Sequence, residues 1–345
     1  QEQSLTHPAH VVVGTPGRVL QLLQRGSLIL DGVRTLVLDE ADRMLDMGFI
    51  DQIDAIVRHV PRERQTLCFS ATLPEGVRAL AAAVLATPEH ITVDRQHAPG
   101  VISHAFLGAA ESDKGRATLT LLAQHPLESA IIFCNTKAQC RAVYAALNAA
   151  GVHSLAFHGD LDQADRTLVM VRFANQSCRV LVATDVAARG LDIQGLDAVI
   201  NYDLPFEPQT YVHRVGRTGR AGATGHAFSL VTPGQGARVQ AICEVLGADH
   251  QTTPAPLDID GPSPALAPPM VTLSISGGRK AKISAGDVLG ALTAKGGVAG
   301  QDVGQIDRME QVTFVAVKRA AAEAALRILR STPIKGRRFR VARHG

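Results

Sequence analysis

An apolar run, Leu36-Val37-Leu38, delivers four residues, Asp39-Glu40-Ala41-Asp42, at its carboxyl end, the edge where α/β sheets place ligands. A carboxylate there can hold Mg²⁺ through water, and a neighbouring one can orient a water for attack on a phosphate. An acidic helix start, favoured by the helix dipole, is the plainer alternative. Ser70-Ala71-Thr72 also follows an apolar run, and two hydroxyls in that position commonly form a local turn or cap. Residues 183–193 read Ala-Thr-Asp-Val-Ala-Ala-Arg-Gly-Leu-Asp-Ile. In that stretch Thr184 can reach a backbone phosphate, Asp185 can reach a ribose hydroxyl, and Gly190 allows close approach of main chain. A buried polar turn competes with that reading. His213-Arg214-Val215-Gly216-Arg217-Thr218-Gly219-Arg220 sets Arg217 and Arg220 three apart, so their guanidinium groups can project together onto phosphates. A solvated basic helix end is the alternative, weakened by glycines that form helices poorly.

These residues need a scaffold that presents several strand ends on one edge. Short Val/Ile/Leu runs at 34–38, 130–134, 152–157 and 179–183 alternate with helical stretches, which predicts parallel sheets covered on both faces. The alternation breaks at Arg95-Gln96-His97-Ala98-Pro99-Gly100, the expected junction of two lobes. Residues 250–269 hold six of the 17 prolines without apolar periodicity and are expected to form an extended linker. Beyond it the order is strand 271–275, helix 285–294, strands near 303–306 and at 312–317, helix 320–329 and strand 339–341. That is the β-α-β-β-α-β order of a small ferredoxin-like domain. The expected division is therefore 1–95, 96–249, a linker at 250–269, and 270–345.

Composition narrows the function classes. With 46% hydrophobic and 19% charged residues the chain has material for several cores, but no stretch of ~18 apolar residues that would span a membrane. The first residues carry no secretory pattern, which makes the cytoplasm the default compartment. Cys68, Cys134, Cys140, Cys178 and Cys243 are odd in number and never spaced Cys-x-x-Cys; a disulfide framework or zinc site is not expected. The net charge of +3 hides an asymmetry: residues 1–269 carry 21 Lys+Arg against 27 Asp+Glu, and residues 270–345 carry 14 against 5. A compact basic segment of this kind suits a polyanion partner, though a well-solvated surface would look similar.

Taken in order, the motifs say more than any one of them. Thr15-Pro16-Gly17-Arg18, Asp39-Glu40-Ala41-Asp42, Ser70-Ala71-Thr72, Ile131-Ile132-Phe133-Cys134-Asn135-Thr136, His158-Gly159-Asp160 with Gln163 and Arg166, and then the two long motifs above resemble the DEAD-box family of RNA helicases over residues 11 to 232. The resemblance implies an α/β fold of two RecA-like parallel-sheet lobes, the first incomplete, followed by a small α+β domain like an RNA recognition motif. It implies an RNA-dependent ATPase using ATP and Mg²⁺, whose lobes close on ATP and RNA together. Asp39 and Glu40 match the residues that manage Mg²⁺ and the hydrolytic water, with Asp39 acting on the metal through water. Asp42, in the same acidic motif, and Gly190 with the ribose contact Asp185, in the 183–193 motif, match nucleotide-binding positions. Arg217 and Arg220 match arginine fingers. His213, Ser70 and Thr72 match the relay joining nucleotide state to RNA engagement. Thr15, Gly17, Arg18, Arg166 and Thr184 match positions that hold RNA backbone.

The C-terminal stretches Gly277-Gly278-Arg279-Lys280-Ala281-Lys282, Gly286-Asp287-Val288-Leu289-Gly290-Ala291-Leu292 and Ile334-Lys335-Gly336-Arg337-Arg338-Phe339-Arg340-Val341 resemble the RNA-binding domain of a bacterial ribosome-assembly branch of this family. That resemblance implies large-subunit ribosomal RNA as substrate and the pre-ribosomal particle as partner. Only Phe314 could stack a base from the strands, so RNA is expected to meet loops and the basic rim, through Arg279, Lys280, Lys282, Lys335, Arg337 and Arg338. No Gly-x-x-x-x-Gly-Lys-Ser/Thr run occurs in the sequence, although the resemblance calls for a phosphate-binding loop. The expectation is an N-terminally truncated chain, with a non-catalytic RNA-binding protein as the alternative reading.

Overall fold

The computed structural model describes the chain except Gln1, Gln3, Ser4, Thr6, Pro8, Ala71, Pro126, Gln194 and residues 93–101, 189–192, 220–223, 248–254, 257–266 and 295–296. The chain falls into two compact units, Gln1–Arg95 and Gln96–Gly345.

In the first unit, helix α1 (Pro16–Gln24) starts with proline at its first position, where the missing N–H costs nothing. It precedes strand β1 (Thr35–Leu38), helices α2 (Ala41–Asp46) and α3 (Ile50–Val57), strand β2 (Gln65–Cys68) and helix α4 (Glu75–Val84). β1 and β2 pair in parallel, Leu38 opposite Cys68. Leu38, Ala41, Ile53, Val77, Leu80 and Val84 form one core around this pair, and Leu22, Leu28, Leu30, Ile56 and Val60 form a second under α1.

The second unit begins with β3 (Ile102–Gly108), α5 (Lys114–Gln124), β4 (Ala130–Cys134), α6 (Lys137–Ala149), β5 (Ser154–Phe157), α7 (Gln163–Ala174) and β6 (Val180–Thr184). It continues with α8 (Asp185–Ala188), β7 (Ala198–Asn201), α9 (Pro208–Val215), β8 (Gly225–Val231), α10 (Gly236–Leu246) and β9 (Ala255–Pro256). The strands pair in parallel in the order β5-β6-β4-β7-β8-β3-β9. Alternate residues serve opposite faces: Ile131, Phe133, Leu181 and Val199 enter one core, and Ala130, Ile132, Cys134, Val182 and Ile200 the other. A side-chain period of two with both faces covered is why these strands read as unbroken apolar runs. Thr136 and Asp162 cap α6 and α7 by accepting from the amides of Gln139 and Asp165, bonds worth about 1 kcal/mol each. The proline-rich stretch is not wholly a spacer, because Ala255-Pro256 adds an edge strand against Leu107 and Gly108. Most of the remaining linker lies outside the described residues.

Downstream come β10 (Met270–Ile275), α11 (Ala285–Thr293), β11 (Val303–Arg308), β12 (Thr313–Lys318), α12 (Ala322–Ser331) and β13 (Val341–His344), an antiparallel sheet in the order β11-β12-β10-β13. The last strand starts two residues later than the sequence suggests. Phe339 instead packs its ring over Gly277, at the place a Cβ would fill, and the chain turns through Lys335 and Gly336, both at positive φ. One face of this sheet carries Val271, Leu273, Ile275, Val315 and Val317 into a core with α11 and α12. Thr272 points the other way, toward the turn after α7. There Asn175 Nδ2 donates to Thr272 Oγ1 at 2.9 Å, Thr272 Oγ1 donates to Ser177 Oγ at 2.8 Å, and Met270 N donates to Gln176 O at 3.4 Å. All three side chains are buried. Phe314, the one strand aromatic, is buried as well.

Candidate functional site

In the first unit the acidic cluster sits where β1 ends. Phe69 N donates to Leu38 O at 2.8 Å and Ala41 N donates to Phe69 O at 3.0 Å, so the turn after β2 is stitched to the turn after β1. Glu40 occupies the left-handed region with φ 52°, a conformation that costs a non-glycine residue roughly 1 kcal/mol or more. Asp39 and Glu40 are exposed at this turn. Asp39 Oδ1 accepts from Glu40 N at 2.9 Å, and Glu40 pairs with Arg43. Asp42 faces inward and is buried: its Oδ2 accepts from Thr72 N at 3.0 Å and Thr72 Oγ1 at 2.8 Å, while its Oδ1 accepts from Arg43 N at 3.0 Å. Ser70 Oγ accepts from Asp42 N at 3.2 Å and donates to Thr72 O at 2.6 Å. Asp39, with an exposed carboxylate on a rigid strand end, fits a water-mediated Mg²⁺, whereas Asp42 is committed to the neighbouring turn. Thr15 and Gly17 are exposed at the amino end of α1, where N–H groups suit a phosphate, and Arg18 bonds Gln21 on the same helix.

In the second unit the corresponding residues lie along the carboxyl edge of the seven-stranded sheet. Thr184 ends β6 and is buried; Asp185 starts α8 directly after it. Arg214, on α9, is 2% exposed and uses every donor of its guanidinium. Nε and Nη2 donate to the two oxygens of Asp185 at 2.6 and 2.7 Å, Nη2 also to Asn135 Oδ1 at 2.9 Å, and Nη1 to Asn201 Oδ1 at 3.1 Å and Asp203 O at 2.7 Å. Its Cζ lies 5.1 Å from the centre of the Phe133 ring. The network extends to Lys114, also buried, whose Nζ donates to Asp203 Oδ1 at 3.0 Å and pairs with Glu111 at 2.9 Å. His213 is exposed on α9, and Arg217 is half-buried just past its end, its amide donating to Arg214 O at 3.2 Å. Arg220 and Gly190 lie outside the described residues. At the end of β5, Asp160 accepts from Lys137 and from Arg141, each at 2.6 Å. The Lys137 bond holds the Asp160 carboxyl below its ordinary range. Arg166 lies 5.5 Å over the Phe157 ring.

In the C-terminal sheet three loops meet. Ser276 N donates to Arg340 O and Arg340 N to Ser276 Oγ, both at 2.9 Å; Arg279 N donates to Met309 O and Lys280 N to Glu310 O, also at 2.9 Å. Lys335 Nζ donates to Lys282 O at 2.8 Å. These bonds place Arg279, Lys280, Lys282, Lys335, Arg337 and Arg338 on apposed exposed loops. Lys280 hydrogen-bonds Glu310 and lowers its pKa. Asp287 is pushed down to about 2, first by the Ser284 hydroxyl and amide and then by Lys335.

Sequence reasoning quoted Arg214, Asn135 and Arg340 inside motifs without giving them a role of their own, and passed over Asp203, Lys114 and, on the basic rim, Arg308. Their polar chemistry was visible; their convergence from separate strand ends was not.

Three family descriptions match: "DEAD/DEAH box helicase" over residues 1–80, "Helicase conserved C-terminal domain" over 113–222 and "DbpA RNA binding domain" over 272–343. The ATP-dependent RNA helicase DbpA of Escherichia coli (strain K12) is 47% identical over 343 residues, covering 99% of this chain and 74% of that protein. The chain belongs to the DEAD-box RNA helicases. The family member DbpA of Bacillus subtilis (strain 168) is 39% identical over 365 residues, 99% of this chain and 76% of its own length. Among solved DEAD-box structures, S. cerevisiae Dbp5 bound to RNA and ADP BeF3 superposes with a TM-score of 0.64 at 34% identity, covering 73% of this chain and 66% of that one. The parallel sheets are thus RecA-like helicase folds, the antiparallel sheet is a DbpA-type RNA-binding domain, and the family's enzymes depend on ATP. Among the described residues no helix is long and apolar enough to cross a membrane.

Proposed function

We propose that this protein is a cytoplasmic RNA-dependent ATPase that locally unwinds structured RNA, with large-subunit ribosomal RNA in an assembling ribosomal particle as its substrate. The observation that carries the reading is the tie between Asp185 and the Arg217 segment: Arg214 donates to the Asp185 carboxylate and accepts from the Arg217 amide, so a ribose acceptor and a phosphate-directed cation share one sheet edge. In this reading Asp39 would hold Mg²⁺ through water and Glu40 would orient the attacking water; the metal would neutralise phosphate charge. Ser70, Thr72 and His213 relay nucleotide state, Asp42, Asp185 and Gly190 meet the nucleotide, and Arg217 and Arg220 stabilise phosphate charge. Thr15, Gly17, Arg18, Arg166 and Thr184 hold RNA backbone. Residues 1–95 and 96–249 act as the two helicase lobes, 250–269 as the connection, and 270–345 as the RNA-selecting domain, with Arg279, Lys280, Lys282, Lys335, Arg337 and Arg338 on RNA. The buried Phe314 and the occupied Thr272 face support loops rather than strands as the RNA surface.

The test is ATP hydrolysis and duplex unwinding by the complete gene product, with a large-subunit ribosomal RNA fragment against unrelated structured RNA of equal length. Stimulation by the ribosomal fragment well above the unrelated RNA is expected. Equal stimulation by both would remove the ribosomal assignment, and tight RNA binding with no hydrolysis would leave a non-catalytic RNA-binding protein.

A further inference from the structure

Where the basic domain meets the second lobe, the charges on the two sides have the same sign. Thr272 and His344 stand opposite each other on β10 and β13, so their side chains share the sheet face that turns toward residues 175–177. His344 Nε2 lies 2.8 Å from Ser274 Oγ on that face. Across the seam Arg172, in the last turn of α7, has its Nε buried without an acceptor among the described residues. Gly345 closes over the same guanidinium, for a Cβ built there would stand 3.2 Å from Arg172 Nη2. Arg319, which starts the short turn after β12, donates from Nε to Pro268 O at 2.7 Å and leaves Nη2 buried without an acceptor. His153, at the entry to β5, is close enough to feel both arginines, and His344 feels Arg172. The other titratable groups beside Arg172 are a phenol and a thiol, Tyr144 on α6 and Cys178 before β6. On the domain's own side Arg343 is paired with Glu323 and Lys318 with Asp302. Among the described residues no carboxylate pairs with Arg172 or Arg319. The bonds across the seam run from Asn175 to Thr272, from Thr272 to Ser177 and from the Met270 amide to Gln176 O, and none of them offsets a positive charge.

We propose that this seam is a proton-operated latch: it stays shut while His153 and His344 are neutral, and protonation of the pair, facing Arg172 and Arg319 with no carboxylate between, releases the basic domain from the second lobe. Burial, and then the arginines, favour the neutral imidazoles in the shut state. Once released, both rings return to water and titrate at the ordinary value, so the shut state binds fewer protons. Shutting is therefore complete above about pH 6.5 and weakens as pH falls from there. Two histidines on one seam make the response steeper than either alone. On the functional reading above, an open latch lets RNA held by the basic rim stray from the helicase lobes; the latch itself does not rest on that reading.

The Met270 amide reports the latch, because its acceptor lies across the seam. Its hydrogen-exchange protection, corrected for the intrinsic rate, is compared at about pH 7.5 and about pH 5.5 in the complete gene product. The proteins are wild type, the double variant His153→Gln with His344→Gln, and Arg172→Gln. Wild type is expected to lose about tenfold in protection at the lower pH, while Val315 and Val317 in β12 keep theirs. The double variant is expected to lose less than about twofold; Arg172→Gln, which removes one facing charge, loses about threefold and decides the matter should the double variant not fold. Equal protection of Met270 at both pH values in wild type overturns the latch, as does a loss equal to that of wild type in whichever variant folds. Loss at Val315 and Val317 matching that at Met270 means that the domain melts rather than undocks, and overturns it too.

Discussion

Oδ2 of Asp42 accepts two hydrogen bonds from a single residue, Thr72, one from its amide at 3.0 Å and one from its hydroxyl at 2.8 Å. Ser70 closes the ring from the other side by accepting from Asp42 N and donating to Thr72 O. A buried carboxylate depends on such donors to offset its lost hydration. The turns after two parallel strands are thereby made into one piece.

Thr72→Val keeps the shape and deletes one of those donors. It should lower the stability of the chain by about 1.5–3 kcal/mol, the usual range for a hydrogen bond to a charged group, while Thr72→Ser stays closer to wild type. Urea unfolding checks this; an unchanged midpoint for the valine variant would mean that the hydroxyl contributes nothing.

Thr272→Val removes the link that joins Asn175 and Ser177 to β10. Asn175 Nδ2 and Ser177 Oγ then each lose a buried partner, at a cost of about 1–3 kcal/mol. Hydrogen exchange should speed up at residues 175–177 and 270–274 and not in β4 or β6. Faster exchange throughout the sheet would point to a global effect and against a local seam.

Two histidines flank this seam, His153 before β5 and His344 at the end of β13, where its Nε2 lies 2.8 Å from Ser274 Oγ. Burial lowers the pKa of both, with Arg319 and Arg172 adding to the effect at His153 and Arg172 at His344. A base held below its ordinary pKa takes up its proton more readily unfolded, so its contribution is present above about pH 6.5 and is lost as pH falls from there toward the folded value. Stability should therefore decline as pH falls below about 6.5, and His344→Gln should flatten that decline. Histidine NMR titrations giving ordinary values at both positions would contradict it.

Asp287 gives a pH dependence in a lower window. Ser284 accepts from the Asp287 amide and Asp287 accepts from the Ser284 amide, a capping box that starts α11. Its folded pKa of about 2 lies below the unfolded value, so the stabilisation is complete above about pH 4 and vanishes as pH falls through the folded value. Thermal unfolding of Asp287→Asn should be less stable at neutral pH and vary less with acid. A slope equal to wild type would show that another carboxyl controls acid unfolding.

The types and order of residues carried the family, the parallel-sheet class and the division into acidic and basic parts, because those follow from local composition and from a period of two or 3.6 that needs no partner to be seen. Asp39, Glu40 and Asp185 could be singled out because each follows a readable apolar run, and Arg217 because it stands in a dense run of arginine and glycine. What tertiary structure alone decided was which polar groups meet. Arg214 looked like one more arginine until three strand ends placed five acceptors around it, and nothing local announced that Thr72, thirty residues away, donates to the Asp42 carboxylate while Ser70 accepts from the Asp42 amide. Thr272 read as an ordinary strand residue; its contact with Asn175 spans 97 positions. Hydrogen bonds are satisfied in space over a few ångströms, and a chain folded through parallel crossovers brings together groups whose separation in sequence leaves no periodic trace.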